Sequence, residues 1–141
     1  MIQLEVILGT PASGKTARAI KILNEHGKGS LLISLQNPYA WLKGQGLCPT
    51  VPVIDQQPVL VSAQLIIDAC RKSGASLVVI DNLELLPSKI LIEDLQQQLE
   101  IVGVRRLIFT SHLRRDMVPA SRKRLAHTRY TAILTCPLLG K

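Results

Sequence analysis

Apolar residues along this chain occur in short continuous runs that alternate with stretches in which they recur at helical spacing. Short continuous runs are typical of buried strands, and spaced apolar positions are typical of amphipathic helices. The runs predict strands near residues 2–8, 31–35, 77–80, 107–112 and 130–134. The spaced stretches predict helices near residues 17–23 and 59–72, and a third from Pro87-Ser88 to about Val102.

The order of these elements predicts the fold. Strand and helix alternate along the chain, which is typical of an α/β protein with a mainly parallel sheet. We therefore expect a three-layer α/β sandwich in which residues 1–141 form a single domain. Residues 39–58 are rich in Gly and Pro, so we expect irregular structure there, with a short strand near residues 51–54. Ligands of such sheets bind beyond the carboxyl ends of the strands.

The composition fits one folded domain. Of 141 residues, 47% are apolar, which is enough to build a substantial core. No apolar run is long enough to span a bilayer and no leader precedes the first predicted strand, so we expect a cytoplasmic protein without membrane contact. Cys48, Cys70 and Cys136 are widely spaced and odd in number, so we expect reduced, structural cysteines.

The positive charge is concentrated at the carboxyl-terminal end. The formal net charge is +7, yet residues 1–104 contain eight Lys/Arg and nine Asp/Glu. Residues 105–141 contain nine Lys/Arg and one acid, Asp116. This asymmetry favours a localised anionic partner, with a solvated basic loop as the alternative.

One motif directly follows the first predicted strand and precedes the first predicted helix. Gly9-Thr10-Pro11-Ala12-Ser13-Gly14-Lys15-Thr16 is a complete G-x-x-x-x-G-K-T phosphate-binding loop. In such a loop successive backbone N–H groups surround the phosphates of a nucleotide at the positive end of a new helix. Lys15 is expected to reach the β- and γ-phosphates, and the Thr16 hydroxyl to ligate Mg²⁺. The predicted nucleotide contacts are Gly9, Thr10, Pro11, Ala12, Ser13, Gly14, Lys15, Thr16 and Ala17.

A second candidate is the aspartate that closes the apolar run Leu77-Val78-Val79-Ile80. A phosphate-loop nucleotidase needs a carboxylate at this edge of the sheet to hold Mg²⁺, and Asp81 fits that need. The alternative is an ordinary turn residue at the end of a strand. The sequence thus predicts Thr16 and Asp81 as the magnesium-binding pair of an ATP site.

Four features together resemble RecA-like ATPases, especially the motor domain of DnaB-type hexameric helicases. They are the loop at residues 9–16, the strand exit at residues 32–38, the strand at residues 78–81, and residues 108–115. The resemblance implies a P-loop ATPase that works as a homo-oligomer with ATP and Mg²⁺. It also implies that His112 senses the γ-phosphate, with an ordinary hydrogen-bonded histidine at a strand end as the alternative. Residues 113–129 would then form a loop that faces nucleic acid.

The chain departs from that family where a glutamate is expected beyond the second strand. Gln36 stands there, and Asn82 follows Asp81. An amide can position water but is a poor proton acceptor, and general-base help is commonly worth about 10²–10⁴-fold. We expect Lys15, Gln36 and His112 to carry the chemistry, with slow hydrolysis or with help from Glu84, Asp55 or a partner's residue.

The basic segment at residues 113–129 is the candidate nucleic-acid contact. Several cations on one loop neutralise several phosphates, and because aromatics make up only 3% of the chain, binding to single-stranded DNA or RNA would be backbone-directed. An arginine finger that reaches a neighbouring subunit, or a solvated loop, are the alternatives. The predicted contacts are Arg114, Arg115, Arg122, Lys123, Arg124 and Arg129.

Two further functions remain open at this level. One is a weakly hydrolysing regulatory or phage/plasmid assembly module, since residues 1–16 also resemble the start of Zot-type assembly proteins. The other is a small-molecule kinase, which needs an acid beyond the second strand to bind its acceptor. The amides of Gln36 and Asn37 disfavour the kinase.

Overall fold

The centre of the molecule is a parallel sheet of six strands in the order β3-β2-β4-β5-β1-β6. The computed structural model describes residues 2–9, 14–112 and 131–134. The strands are β1 (Gln3–Gly9), β2 (Ser30–Ser34), β3 (Val53–Asp55), β4 (Leu77–Asp81), β5 (Arg106–His112) and β6 (Thr131–Leu134). Every neighbouring pair is parallel, so the predicted α/β fold with a parallel sheet is confirmed.

The helices cover both faces of this sheet. They are α1 (Lys15–His26), α2 (Tyr39–Gly44), α3 (Ala63–Ser73) and α4 (Ile92–Ile101), with 3₁₀ turns at Pro58–Leu60 and Leu83–Leu85. On one face Ile66 of α3 and Leu95 of α4 belong to an apolar cluster with β1, β2, β4 and β5. On the other face Leu23 of α1 and Leu42 of α2 do the same. Because β2 and β4 are buried on both faces of the sheet, their sequences are continuous apolar runs.

The structure corrects three element predictions. The segment expected to be irregular contains α2, whose first backbone N–H, that of Tyr39, donates to the Asp55 carboxylate at 2.8 Å. The helix expected from residue 59 begins at Ala63, because Ser62 caps it by accepting from the Leu65 N–H at 3.1 Å. The helix expected from Pro87-Ser88 begins only at Ile92, and Leu91, just before it, is 60% exposed.

The remaining strands agree closely with the sequence pattern. The short strand expected near residues 51–54 is β3 at the edge of the sheet, and the last predicted strand is β6, which pairs with β1. The predicted basic loop at residues 113–129 lies outside the described residues.

Across the described ranges, no helix is both long and apolar enough to cross a bilayer.

Candidate functional site

The start of α1 is shaped by one glycine. Gly14 adopts φ 90° and ψ 20°, a left-handed conformation that glycine accepts without steric strain, and the helix begins at Lys15. The first N–H groups of a helix have no acceptor inside it, and their dipoles favour an anion at this end. The first turn of α1 carries no acidic side chain that could serve as this anion. Gly9 ends β1 and Ala17 lies in the first turn of α1, whereas Thr10, Pro11, Ala12 and Ser13 lie outside the described residues.

Lys15 is a buried cation in this first turn, only 7% exposed. Burial lowers the pKa of its ammonium group, while the negative charges of Glu84 and then Asp81 raise it again. Desolvation is the larger effect, so the two carboxylates offset only part of the burial penalty. A bound phosphate group would supply further negative charge next to the ammonium group.

Thr16 and Asp81 come together although 65 positions separate them in sequence, with the Thr16 hydroxyl 3.5 Å from the Asp81 carboxylate. Hydroxyl and carboxylate oxygens are ligands suited to Mg²⁺. Among the described residues, no group of three or more His, Cys, Asp or Glu side chains could hold a metal on its own. A magnesium ion here would therefore be completed by substrate phosphates and water, which is how Mg²⁺ is commonly bound.

The Asp81 carboxylate is almost fully buried and is held by hydrogen bonds. Thr110 donates its hydroxyl to Asp81 at 2.6 Å, and the Asn37 amide donates to the other carboxylate oxygen at 3.4 Å. Burial raises the pKa of Asp81, and these hydrogen bonds, together with the charge of Lys15, act in the opposite direction. The carboxylate is therefore oriented from neighbouring strands, which suits a fixed metal ligand.

Thr110 and Ser111 at the end of β5 are contacts that sequence reasoning missed. The Thr110 hydroxyl also accepts from the Asn82 backbone N–H at 2.7 Å, and Ser111 donates to the Glu84 carboxylate at 2.6 Å. Both bonds form because β5 lies between β1 and β4 in the sheet. The sequence signal for these contacts was that an otherwise apolar strand ends in polar residues.

Gln36 and Asn82, the two amides noted in the sequence, contact each other. The Asn82 amide donates to the Gln36 side-chain oxygen at 2.6 Å. Asn82 adopts φ 74°, which turns the chain sharply after β4. The amide beside Asp81 is thus Asn37, while Gln36 is exposed and lines a cleft of about 200 Å³ with Asn37 and Asp55.

One other predicted site residue is placed by the sheet. His112 is the last residue of β5, where its Cα pairs with that of Gly9 in β1. It therefore stands level with the first residue of the phosphate-loop motif, and its sensing role stays a prediction. The predicted nucleic-acid contacts Arg114, Arg115, Arg122, Lys123, Arg124 and Arg129 lie outside the described residues.

In comparisons with known proteins, no family model and no curated protein sequence matches this chain. Any assignment of function therefore depends on the side chains described above.

Proposed function

We propose that this chain is a small RecA-like P-loop ATPase that binds ATP–Mg²⁺ and couples its nucleotide state to nucleic-acid binding. One observation supports this most strongly. Lys15 and Thr16 open a helix behind a left-handed glycine, and the Thr16 hydroxyl lies 3.5 Å from a buried carboxylate at the end of another strand. A phosphate group and its magnesium need these two features side by side.

Each group has a distinct role in this proposal. Backbone N–H groups at the start of α1 bind phosphate oxygens, and Lys15 balances their charge. Thr16 ligates Mg²⁺ and Asp81 holds the ion through water. Gln36 positions the attacking water, and His112 responds to the γ-phosphate.

The coupling to nucleic acid is supported by chain connectivity. Thr110 of β5 contacts Asp81, and the same strand runs through His112 directly into the basic segment at residues 113–129. Phosphate contacts from several arginines give binding that weakens steeply with salt. In this fold, composite sites form between subunits, so we propose a homo-oligomer as the working state.

Calorimetry and steady-state turnover test the proposal. ATP–Mg²⁺ is expected to bind in calorimetry, and single-stranded DNA or RNA is expected to stimulate a turnover that is lost in Lys15→Ala. Absence of adenine and guanine nucleotide binding by folded protein refutes the function. Phosphate transfer to a small acceptor would identify a kinase instead.

The basic segment has its own test. Replacing Arg122, Lys123 and Arg124 together by alanine is expected to flatten the salt dependence of nucleic-acid binding, because fewer counterions are released. An unchanged slope removes this segment from the interface. Mass measurement in solution, with and without ATP–Mg²⁺, determines whether the nucleotide drives assembly.

A nucleotide-dependent regulatory module is the second candidate function. It is favoured by the contact between Gln36 and Asn82, since amides stand at both strand exits. Tight ATP binding with negligible turnover under all conditions identifies this function. Gln36→Glu is expected to speed hydrolysis if residue 36 positions the water, and an unchanged rate counts against that role.

A further inference from the structure

Glu84 is one of the acids that the sequence offers as help in hydrolysis, and the roles proposed above do not include it. It lies in the 3₁₀ turn Leu83–Leu85, which follows Asp81 and Asn82 directly. The Ser111 hydroxyl donates to its carboxylate at 2.6 Å. Ser111 pairs with Leu8 of β1, one residue before Gly9, so Glu84 is bonded to the part of the sheet where the phosphate-loop motif begins.

The charge of Glu84 also reaches the phosphate-binding lysine. Glu84 and Asp81 are the two acids that raise the pKa of Lys15, and the effect of Glu84 is the larger. The contact between Thr16 and Asp81 brings the start of α1 to the end of β4, and the turn that carries Glu84 follows that end directly. In a phosphate loop the Lys15 ammonium group contacts the β- and γ-phosphates. The γ-phosphate would therefore lie close to the Glu84 carboxylate.

The other acids near the carboxyl ends of the strands are occupied differently. Asp81 accepts from Thr110 and Asn37 and lies next to the magnesium ligand Thr16. Asp55 is exposed and accepts the Tyr39 backbone N–H at 2.8 Å, which anchors the start of α2. Asp55 also belongs to the edge strand β3, three strands away from β5.

We propose, building on the ATPase function above, that Glu84 is the general base for ATP hydrolysis and that Ser111 is its positioning residue. The water oxygen forms a bond to the γ-phosphorus as the bond between that phosphorus and the β,γ-bridging oxygen breaks. One proton of the water passes to the Glu84 carboxylate, and the bridging oxygen leaves with the bonding electrons as part of ADP. Glu84 then releases the proton to solvent. The missing glutamate beyond β2 is thereby replaced from the turn after β4.

The central experiment separates binding from turnover in Glu84→Gln. Calorimetry is expected to give an ATP–Mg²⁺ Kd close to that of the unaltered chain, while kcat falls about 10²–10⁴-fold, the usual contribution of a general base. Glu93→Gln is the matched control, since it makes the same exchange at an exposed acid of α4 and is expected to leave kcat unchanged. Ser111→Ala is expected to lower kcat by less than Glu84→Gln does.

Chemical rescue distinguishes a catalytic role of Glu84 from a structural one. Adding formate to Glu84→Gly is expected to restore part of the lost turnover, because a small carboxylate can occupy the vacated position and accept the proton. Formate is expected to have no effect on Glu93→Gly, at an exposed position of α4.

The outcomes distinguish this inference from the proposed function. If the unaltered chain binds no nucleotide, the ATPase proposal itself is refuted. If it binds nucleotide without turnover, or if Glu84→Gln turns over at the unaltered rate, the base assignment is overturned while nucleotide binding stands. Loss of nucleotide binding in Glu84→Gln also overturns it. Should that variant not fold, an unchanged kcat in Ser111→Ala overturns the assignment as well.

Discussion

The two central strands, β4 and β5, have an apolar body and a polar tip that are equally buried. Leu77–Ile80 and Leu107–Phe109 are apolar, whereas Asp81, Thr110 and Ser111 are polar, and all are at most 1% exposed. The body gains stability as apolar surface leaves water, at roughly 25 cal/mol per Å². The tip loses the hydration of its polar groups and recovers this only through hydrogen bonds. The body therefore stabilises the fold, while the tip buries polar groups that stability alone does not require.

The largest expected effect is on the body of β5. Phe109→Ala is expected to lower the free energy of unfolding by about 3–5 kcal/mol, because it opens a cavity in a fully buried cluster. Urea denaturation measures this. Phe109→Leu, which keeps most of the volume, is the control and is expected to lose much less. Equal losses in both variants would mean that packing around residue 109 is not what stabilises the sheet.

The next effect concerns the buried cation at the start of α1 and should spare the fold. Lys15→Ala is expected to weaken ATP–Mg²⁺ binding by about 2–5 kcal/mol, the usual range for losing one partner of a desolvated charge pair. The free energy of unfolding should not fall correspondingly, because burial of the ammonium group is itself unfavourable. Calorimetry and urea denaturation on one preparation check both statements, with the exposed Lys28→Ala as control. A large drop in the unfolding free energy of Lys15→Ala would mean that the polar site stabilises the fold as the apolar strands do.

The hydrogen bonds at the tip have a smaller expected effect. Thr110→Val keeps the shape of the side chain but removes the contacts to Asp81 and to the Asn82 N–H. Each buried group left without a partner costs about 1–3 kcal/mol, so the unfolding free energy should drop measurably. Magnesium-dependent nucleotide binding should weaken as well, because the carboxylate loses its orientation. Thr50→Val, at an exposed position, should change stability by less than about 0.5 kcal/mol.

The last expected effect is absent near neutral pH and concerns the apolar cluster that contains part of the body. Burial raises the pKa of Cys70, in the apolar cluster on the α3 face, from 9.0 to about 12. The folded state thus keeps the thiol proton more tightly than the unfolded chain. This contribution to stability is complete below pH 9 and is lost at about 1.4 kcal/mol per pH unit between pH 9 and pH 12. Denaturation curves across this range should show it, and Cys70→Ala should reduce the slope.

Much of the fold is predictable because its signals are local. The continuous apolar run ending in Asp81 identifies a buried strand and its polar end, and the motif that includes Lys15 and Thr16 identifies the start of α1. The boundaries of other elements depend on distant contacts. Helix α2 has only six residues, and Asp55, 16 positions away from Tyr39, fixes its first turn.

The side-chain contacts of the site are harder to predict, for a physical reason. Thr110 meets Asp81 only because β5 and β4 are neighbours in the sheet, and no local pattern specifies that strand order. The pairing of Gln36 with Asn82 likewise requires the exits of β2 and β4 to be adjacent. Sequence reasoning identified which residues end the strands but not which of them would touch.

The position of β5 has a mechanical consequence. Its tip touches Asp81 through one hydroxyl and Glu84 through the next, and the chain continues from His112 to Leu113 and Arg114 with no spacer. A ligand that displaced either carboxylate would pull on a stiff strand anchored by neighbours on both sides. Such a displacement would therefore be transmitted to the carboxyl end of β5.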